Sequence, residues 1–291
     1  MVLIFKLLSK IPESFIRVIT ETTFKILNIE KLKSYKITLA NISLCFPNYS
    51  NNKKNKIAKE SYIESIISIF QTFYAWGNSP KKVNSRILRV TNNFFINNNN
   101  SLIVGSIHNR SVDMILSWMN TQRTTTTLFK KIKYKKLNDF VKSNREKQGS
   151  KVYETNLNGV KMLLKTLNNG GTICFAADQV PQEGMGKYLS LFGQETYSTT
   201  LINSLHLKTH KDVLYACMNT NEDKNLYVNI IEPTIDSKHL LSLNKTIEKL
   251  IKENITDYSW EYKRFKNKLL GAGAILGTIW TIILKFGDKI F

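Results

Sequence analysis

The sequence predicts an α/β fold in which a sheet is flanked by helices and preceded by a mainly helical N-terminal region. Two short apolar segments, Ser101–Ile107 and Thr172–Ala177, have the length and composition of buried strands. Helical periodicity appears between them, most clearly at Leu157–Leu167. Strands that alternate with helices are typical of α/β layer folds. A chain of 291 residues is long enough to bury the core of such a domain.

The individual elements follow in order along the chain. Before residue 97 the helical pattern is clearest from Ile57 to Trp76, and we expect this region to form a cap against the sheet. The later elements are a strand Ser101–Ile107, a helix Ser111–Met119 with Ser111 as N-cap, a strand Thr124–Phe129, a helix around Leu137 and Val141, a helix Leu157–Leu167 closed by Gly170 and Gly171, a strand Thr172–Ala177, a turn-rich loop with Pro181, Gly184 and Gly186, strands Val213–Met218 and Leu226–Ile231, and a helix Leu240–Ile251.

The charge of the chain favours an anionic partner. Lys and Arg number 42 against 22 Asp and Glu, which gives a formal net charge of +20. Nucleic acid, an anionic membrane, a phosphorylated lipid and an acidic carrier protein all fit this excess, and a compositional bias towards Lys, Asn and Ile is the alternative explanation. Zinc-finger spacing, an aromatic RNA-binding strand and a basic recognition helix are all missing from the sequence, so no nucleic acid partner is expected.

Both ends of the chain are apolar. Within residues 1–30, the segment Ser14–Leu27 carries three charges and is either a packed amphipathic helix or an interfacial membrane anchor. Residues 268–291 form a hydrophobic tail whose core, Leu269–Leu284, has no charge. At that length the tail is expected to span a membrane, to lie in the headgroup layer or to pack on the domain.

The three cysteines, Cys45, Cys174 and Cys217, are far apart in the sequence and include no C-x-x-C pair. They predict neither a disulfide framework nor a metal site. A reducing, cytoplasm-facing environment is the simplest interpretation.

The first candidate for chemistry is the pair His108 and Asp113, an H-x4-D arrangement directly after a predicted strand. A hydroxyl group is a weak nucleophile near neutral pH and needs a base such as neutral imidazole. A carboxylate behind the imidazole fixes its tautomer and stabilises the imidazolium that forms. The spacing lets both groups meet across one turn, although a surface histidine followed by an N-terminal helix aspartate would give the same pattern.

A second polar cluster, Asp178 and Gln179, follows the strand Thr172–Ala177. Clusters at the carboxyl ends of strands in an α/β sheet can converge on one crevice. Arg145 lies between the two clusters in the sequence and is either a ligand for phosphate or developing negative charge, or part of a solvated helix face.

Five segments, in order, make the chain resemble the lipid A late acyltransferases, which transfer lauroyl or myristoyl groups in lipopolysaccharide assembly. They are Asn41–Pro47 (N-x-x-L-C-F-P), His108–Asp113 (H-x4-D), Asn144–Gly149 with the later strand that ends in Asp178-Gln179, Leu191–Gly193 with Thr199 or Thr200 (F-F-G…T), and Tyr258–Lys266 (Y-x-W-x-x-x-R-F-K).

This resemblance implies a glycerolipid-acyltransferase-like mixed sheet and an acyltransferase domain over residues 31–267. It implies that His108 is the base that activates the acceptor hydroxyl and that Asp113 orients it. Arg145, Asp178 and Gln179 would bind the acceptor or shape its pocket. The implied donor is an acyl carrier protein thioester, the implied acceptor is an anionic glycolipid such as a lipid A precursor, and no cofactor or metal is implied. The implied location is the cytoplasmic face of the inner membrane.

The chain also departs from the family pattern. Asp113 stands where Glu is usual, Tyr262 stands where His is frequent, and Arg110 adds a charge beside the base, either as a surface residue or as a phosphate contact. The F-P-E-G segment of glycerolipid acyltransferases is missing from the sequence. These departures leave the acceptor open among lipid A precursors, other glycolipids and glycerolipids, with a catalytically silent lipid-binding relative as the alternative.

Overall fold

A seven-stranded mixed sheet lies at the centre of the chain. The computed structural model describes residues 2–97, 100–236 and 240–265, and within them the chain forms nine β-strands and eleven α-helices. The strands are β1 Ile87–Val90, β2 Leu102–Ser106, β3 Thr125–Phe129, β4 Lys151–Glu154, β5 Thr172–Ala176, β6 Gly186–Leu191, β7 Gln194–Thr199, β8 Asp212–Thr220 and β9 Leu226–Ile231. The helices are α1 Val2–Leu8, α2 Glu13–Ile26, α3 Lys33–Cys45, α4 Asn51–Gly77, α5 Pro80–Asn84, α6 Phe94–Asn97, α7 Val112–Gln122, α8 Lys135–Arg145, α9 Leu157–Asn168, α10 Leu201–Thr209 and α11 Leu243–Glu253.

The strand order of the large sheet is β1-β9-β8-β2-β5-β3-β4. Every neighbouring pair is parallel except β8 with β9, which are antiparallel. The mixed α/β sheet, flanked by helices and preceded by a helical N-terminal region, confirms the predicted fold class. The strands β2, β5 and β3 are neighbours, so their carboxyl ends meet at one edge of the sheet.

Helices cover both faces of the sheet. A hydrophobic core lies on each face of the sheet, and successive side chains of β8 alternate between them. Val213 and Tyr215 belong to the first core, and Leu214 and Ala216 belong to the second. The first core is completed by side chains from α3, α4, α9, α10 and α11, and the second by side chains from α5, α6 and α7. Burial on both faces explains why β2 begins with three consecutive apolar residues instead of alternating with polar ones.

The N-terminal region forms the predicted cap, because α4 packs against α1, α2 and α3 and contributes Ile63 and Ile67 to the first core. Ile87–Val90, which falls in the region predicted to be mainly helical, is the edge strand β1 beside β9. None of the helices in residues 2–97, 100–236 and 240–265 has the length and apolar character needed to cross a membrane. The tail predicted at residues 268–291 lies outside the described residues.

The antiparallel hairpin β6–β7 was not predicted from the sequence. The region around Gly186 was expected to be a turn-rich loop, but Gly186 begins β6. The hairpin turns at Phe192 and Gly193, which have φ values of 50° and 71°. Two consecutive residues with positive φ are typical of the tight turn that matches the twist of paired strands. Because β6 is largely exposed, it lacks the apolar pattern that would identify a strand.

Candidate active site

Two neighbouring parallel strands bring His108 and Asp178 together. Ser106 at the end of β2 is in register with Ala176 at the end of β5, and each candidate residue follows two positions later. The backbone N–H of Ala177 donates to the carbonyl of Ser106 (2.9 Å), and the backbone N–H of His108 donates to Asp178 Oδ2 (3.1 Å). The site therefore lies at the carboxyl edge of the sheet, where two separate loops converge.

The imidazole of His108 has one partner on each side. Its Nδ1 lies 2.7 Å from Asp178 Oδ1, and its Nε2 lies 3.1 Å from Gln179 Nε2. A carboxylate can only accept from the imidazole, so Nδ1 carries the hydrogen and Nε2 is left with a lone pair. The side chain of His108 is 31% exposed, whereas that of Asp178 is only 2% exposed. In its neutral form, an imidazole held in this way can accept a proton at Nε2.

The electrostatic surroundings raise the pKa of His108 and lower that of Asp178. Burial lowers the pKa of His108, but the charge and hydrogen bond of Asp178 outweigh it, so that the pKa lies above its ordinary value. Burial raises the pKa of Asp178, but His108 and two backbone N–H groups outweigh it and lower the pKa. The carboxylate therefore stays ionised and supports a positive charge on the imidazole.

Asp113 does not occupy the position predicted for it. The carboxylate that hydrogen-bonds His108 is that of Asp178, whereas Asp113 accepts two hydrogen bonds from Arg145, at 2.7 Å from Nε and 2.9 Å from Nη2. Asp113 lies in the first turn of α7, from where its side chain reaches the last turn of α8. The charge of Arg145 lowers the pKa of His108.

Arg110 was predicted as a possible phosphate contact, and the structure corrects this. Its side chain is fully buried and donates a hydrogen bond to Glu64 in the middle of α4, with Asp257 at 3.5 Å and Glu13 at 3.6 Å. Its backbone has a positive φ of 53°. The guanidinium therefore serves to hold the His108 loop on α4.

The segment from Tyr258 to Tyr262 forms one wall of the site. The sequence analysis includes it among the family-like segments but gives none of its residues a role in the site. Asn109 and Tyr258 form an antiparallel bridge, and the backbone N–H of Ser259 donates to the carbonyl of His108 (2.9 Å). The hydroxyl of Tyr262 accepts from the backbone N–H of Val180 (3.1 Å), which follows Gln179. Local sequence patterns could not reveal this wall, because it pairs residues about 150 positions apart.

Asn41, in the first of the five family-like segments, holds this wall in place. Its side-chain N–H groups donate to the carbonyls of Trp260 (2.7 Å) and Tyr262 (2.8 Å). Between these two carbonyls lies Glu261, whose Oε2 accepts from the hydroxyl of Ser65 on α4 (3.0 Å). Two segments that resemble the family separately are thus in direct contact.

Neither a metal nor a cysteine nucleophile is part of this arrangement in the part of the chain that the structure describes. No group of three or more His, Cys, Asp and Glu residues there could hold a metal ion. The three cysteines are buried, and burial raises the pKa of Cys174 to about 12, so that its thiol stays protonated and inert.

Replacing Asp178 with asparagine is expected to lower the pKa of His108. The substitution removes the charge that contributes most to raising the pKa of His108. Burial and Arg145, which lower the pKa, remain, together with the weaker effect of Glu261, which raises it. We expect the midpoint of the imidazole titration to fall by about 1–3 pH units, which an NMR titration of the ring carbons measures with His206 and His210 as internal references. An unchanged or higher midpoint would contradict the assignment of Asp178 as the partner of His108.

Comparison with models of known protein families gives a match that covers most of the chain. A family model described as bacterial lipid A biosynthesis acyltransferase matches residues 1–267. No curated protein sequence gives a significant match. The matched residues include both strand-end loops, the wall formed by residues 258–262 and the helical N-terminal region.

Proposed function

The chain belongs to the bacterial lipid A biosynthesis acyltransferase family, and from this premise we propose that it transfers a fatty acyl chain from an acyl thioester to a hydroxyl group of a lipid A precursor or a related glycolipid. The observation that carries the proposal is the His108–Asp178 pair, which leaves Nε2 of the imidazole facing solvent as a proton acceptor. Such a base is what a hydroxyl acceptor requires near neutral pH.

In the proposed reaction, the acceptor hydroxyl takes the place of the Gln179 amide nitrogen, 3.1 Å from His108 Nε2. The hydroxyl oxygen attacks the thioester carbonyl carbon while its proton passes to Nε2, and Asp178 stabilises the resulting imidazolium. The tetrahedral intermediate then collapses, the C–S bond breaks, and the leaving thiolate takes the proton from Nε2. The products are the ester and the free thiol, and the base is restored.

Direct transfer between the two substrates fits the residues better than an acyl-enzyme route. The sequence contains no G-x-S-x-G nucleophile elbow, and the described cysteines are buried. Arg145 has its Nε and Nη2 engaged with Asp113, and Nη1 remains to face an anionic oxygen of the acceptor or of the tetrahedral intermediate. Asp113 therefore acts in this proposal by holding Arg145.

An acyl carrier protein fits the donor role because such carriers are acidic and the chain is basic. Besides the net charge of +20, exposed lysines follow β3 at the same edge of the sheet as the site. They are Lys130, Lys131, Lys133, Lys135 and Lys136. A cluster of this kind steers an acidic partner towards the crevice and speeds the encounter at low salt.

A transfer assay tests the proposed function. Purified full-length protein is mixed with a labelled acyl carrier protein thioester, or separately with acyl coenzyme A, and with a phosphorylated, acylated glucosamine disaccharide or lysophosphatidate as acceptor. We expect labelled ester on the disaccharide, with the carrier thioester as the better donor. Transfer to lysophosphatidate alone would mean that the acceptor is a glycerolipid and not a glycolipid. Absence of transfer from folded protein would favour a catalytically silent relative.

The apolar face of α2 supports the proposal that the protein works at the cytoplasmic face of the inner membrane. Ile16, Thr20 and Phe24 are buried, whereas the opposite face of the helix exposes Phe15, Val18, Ile19 and Ile26. A helix whose outward face is also apolar suits shallow insertion into a lipid surface. The described helices are too short or too polar to span the membrane, so we propose peripheral attachment through this face.

The double substitution Ile19→Asp and Ile26→Asp is expected to weaken binding to vesicles of anionic phospholipid by at least about 10-fold. Each exposed apolar side chain gains on the order of 1.5 kcal/mol or more on leaving water, which is about a tenfold change in partitioning. Vesicle co-sedimentation measures the effect. Leu207→Asp on α10 serves as control, because Leu207 is also an exposed apolar residue but lies in another part of the fold. Equal loss in the control and in the α2 variant would contradict this surface.

A further inference from the structure

Gln179 lies against the nitrogen that accepts the proton in the proposed mechanism. Its side-chain nitrogen is 3.1 Å from Nε2 of His108. Because Asp178 holds the imidazole through Nδ1 (2.7 Å), the lone pair of the neutral ring is on Nε2, and the Gln179 amide faces it with an N–H group. The acceptor hydroxyl needs the same lone pair. The amide must therefore give up this hydrogen bond before the hydroxyl can be deprotonated.

The side chain of Gln179 can move while its backbone stays in place. On one side, the backbone N–H of Ala177 donates to the carbonyl at the end of β2 (2.9 Å), and on the other the backbone N–H of Val180 donates to the hydroxyl of Tyr262 (3.1 Å). The side chain itself is exposed, and its single hydrogen bond among the described residues is the one to His108. A neutral hydrogen bond of this kind is weak enough to be exchanged for another. The amide can thus turn about its side-chain bonds to a neighbouring acceptor without a rearrangement of the loop.

Several backbone N–H groups around the site already donate to acceptors within the protein. They are those of His108, Asn109, Arg110, Ala177 and Val180. An oxygen that becomes negative during a reaction is stabilised by N–H donors placed close to it. The side-chain amide of Gln179 is such a donor, and it becomes free at the moment when the acceptor hydroxyl takes its place on Nε2.

Resting on the proposed function, we propose that Gln179 is a catalytic residue whose side-chain N–H donates to the thioester carbonyl oxygen as that oxygen becomes negative. The hydroxyl displaces the amide from Nε2 of His108, attacks the carbonyl carbon and passes its proton to Nε2, while an electron pair of the C=O bond moves to the oxygen. That oxygen is then two bonds from the hydroxyl oxygen, so it lies within reach of an amide that was in contact with Nε2. Gln179 forms and breaks no covalent bond, and its hydrogen bond weakens again when the intermediate collapses and the C–S bond breaks.

Gln179→Leu tests this role, because leucine has no hydrogen-bond donor in its side chain. The assay is single-turnover transfer by full-length protein from the labelled acyl carrier thioester to the phosphorylated, acylated glucosamine disaccharide. We expect the maximal rate to fall by about 10- to 100-fold, somewhat less than a fully enclosed oxyanion-hole donor contributes. The half-saturating concentrations of both substrates should change little, since the bond forms only as charge develops. Gln179→Glu, whose carboxylate can only accept, should lose at least as much activity.

Gln182→Leu is the matched control. Gln182 is also an exposed glutamine and lies three residues further along the same loop, so its substitution changes the same chemical groups away from Nε2. This variant should keep the wild-type rate. An equal loss in Gln182→Leu and Gln179→Leu would show that the loop as a whole, and not the amide at Nε2, is responsible, and would overturn the proposal.

A double-mutant cycle separates direct action on the carbonyl oxygen from an indirect effect through the imidazole. In His108→Ala the residual reaction still forms the negative oxygen, so adding Gln179→Leu should lower the rate by the same factor again. No further loss in that background would mean that Gln179 acts by orienting His108, and would overturn the proposal. A wild-type rate in Gln179→Leu would also overturn it, while leaving the proposed function intact. Absence of transfer from wild type would overturn both.

Discussion

Replacing His108 with alanine is expected to reduce acyl transfer by about 10²- to 10⁴-fold, the range that a positioned general base contributes. In the proposed mechanism Nε2 of His108 accepts the proton, because the hydrogen bond between Nδ1 and Asp178 leaves the lone pair of the neutral imidazole on Nε2. Without it, the acceptor hydroxyl must lose its proton to water while it attacks the thioester. The measurement is a single-turnover assay with labelled acyl carrier thioester and the disaccharide acceptor, so that product release does not hide the chemical step.

A companion variant separates chemistry from folding. His108→Gln keeps a side-chain N–H for the buried carboxylate of Asp178 but cannot take up a proton near neutral pH, so it should lose as much activity as alanine. His210→Asn is the matched control, because His210 is exposed and has a φ of 54°, which asparagine tolerates. Activity in the glutamine variant close to that of wild type would refute a proton-accepting role for His108.

Much of the fold could be predicted because the central strands are buried on both faces. Both β2 and β5 are continuous apolar segments bounded by turn residues, and α4 and α9 show helical periodicity. The strands β1 and β4 have four residues each, too few for a pattern to be recognised. The hairpin β6–β7 exposes most of its first strand, so its sequence looks like a polar loop.

Candidate site residues could be proposed from the sequence, but not their pairing. An H-x4-D pattern suggests a local contact, yet the carboxylate behind His108 comes from Asp178, 70 residues away. That contact depends on β5 lying beside β2, and strand order is a property of the whole sheet. Arg110 illustrates the same limit, since its buried ion pairs are with Glu64 and Glu13, which lie far from it in the sequence.

Replacing Arg110 with methionine is expected to lower the free energy of unfolding by about 3–5 kcal/mol, the cost of removing one partner from a buried ion pair. The side chain is fully buried among three carboxylates. Burial raises the pKa of Glu64, but Arg17, Arg110 and Lys224 outweigh it and lower the pKa to about 2. In the variant, the charges of Arg17 and Lys224 still act on Glu64. For Asp257, the cation that lowers the pKa in wild type is Arg110, which the variant lacks. Asp257 therefore becomes the uncompensated buried charge.

The pH dependence of the stability of Arg110→Met tests whether the buried charge of Asp257 is the cause of the loss. Burial raises the pKa of Asp257, Arg110 lowers it, and the net pKa in wild type lies above the ordinary value. Without Arg110 the pKa rises further, so the folded variant binds a proton that the unfolded chain does not. Stability then increases as the pH falls towards the raised pKa. Urea unfolding should therefore show a larger deficit near about pH 7 than near about pH 5.

Arg86→Met provides the comparison within the same ion cluster. Arg86 pairs with Glu13 at 2.7 Å, but its side chain is 30% exposed, and exposed pairs contribute no more than about 1 kcal/mol. The two arginine variants should therefore differ by several-fold in their effect on stability. A deficit in Arg110→Met that stays constant between the two pH values would mean that lost packing, not the charge of Asp257, destabilises the variant. A deficit as small as that of Arg86→Met would show that the buried cluster does not hold the His108 loop.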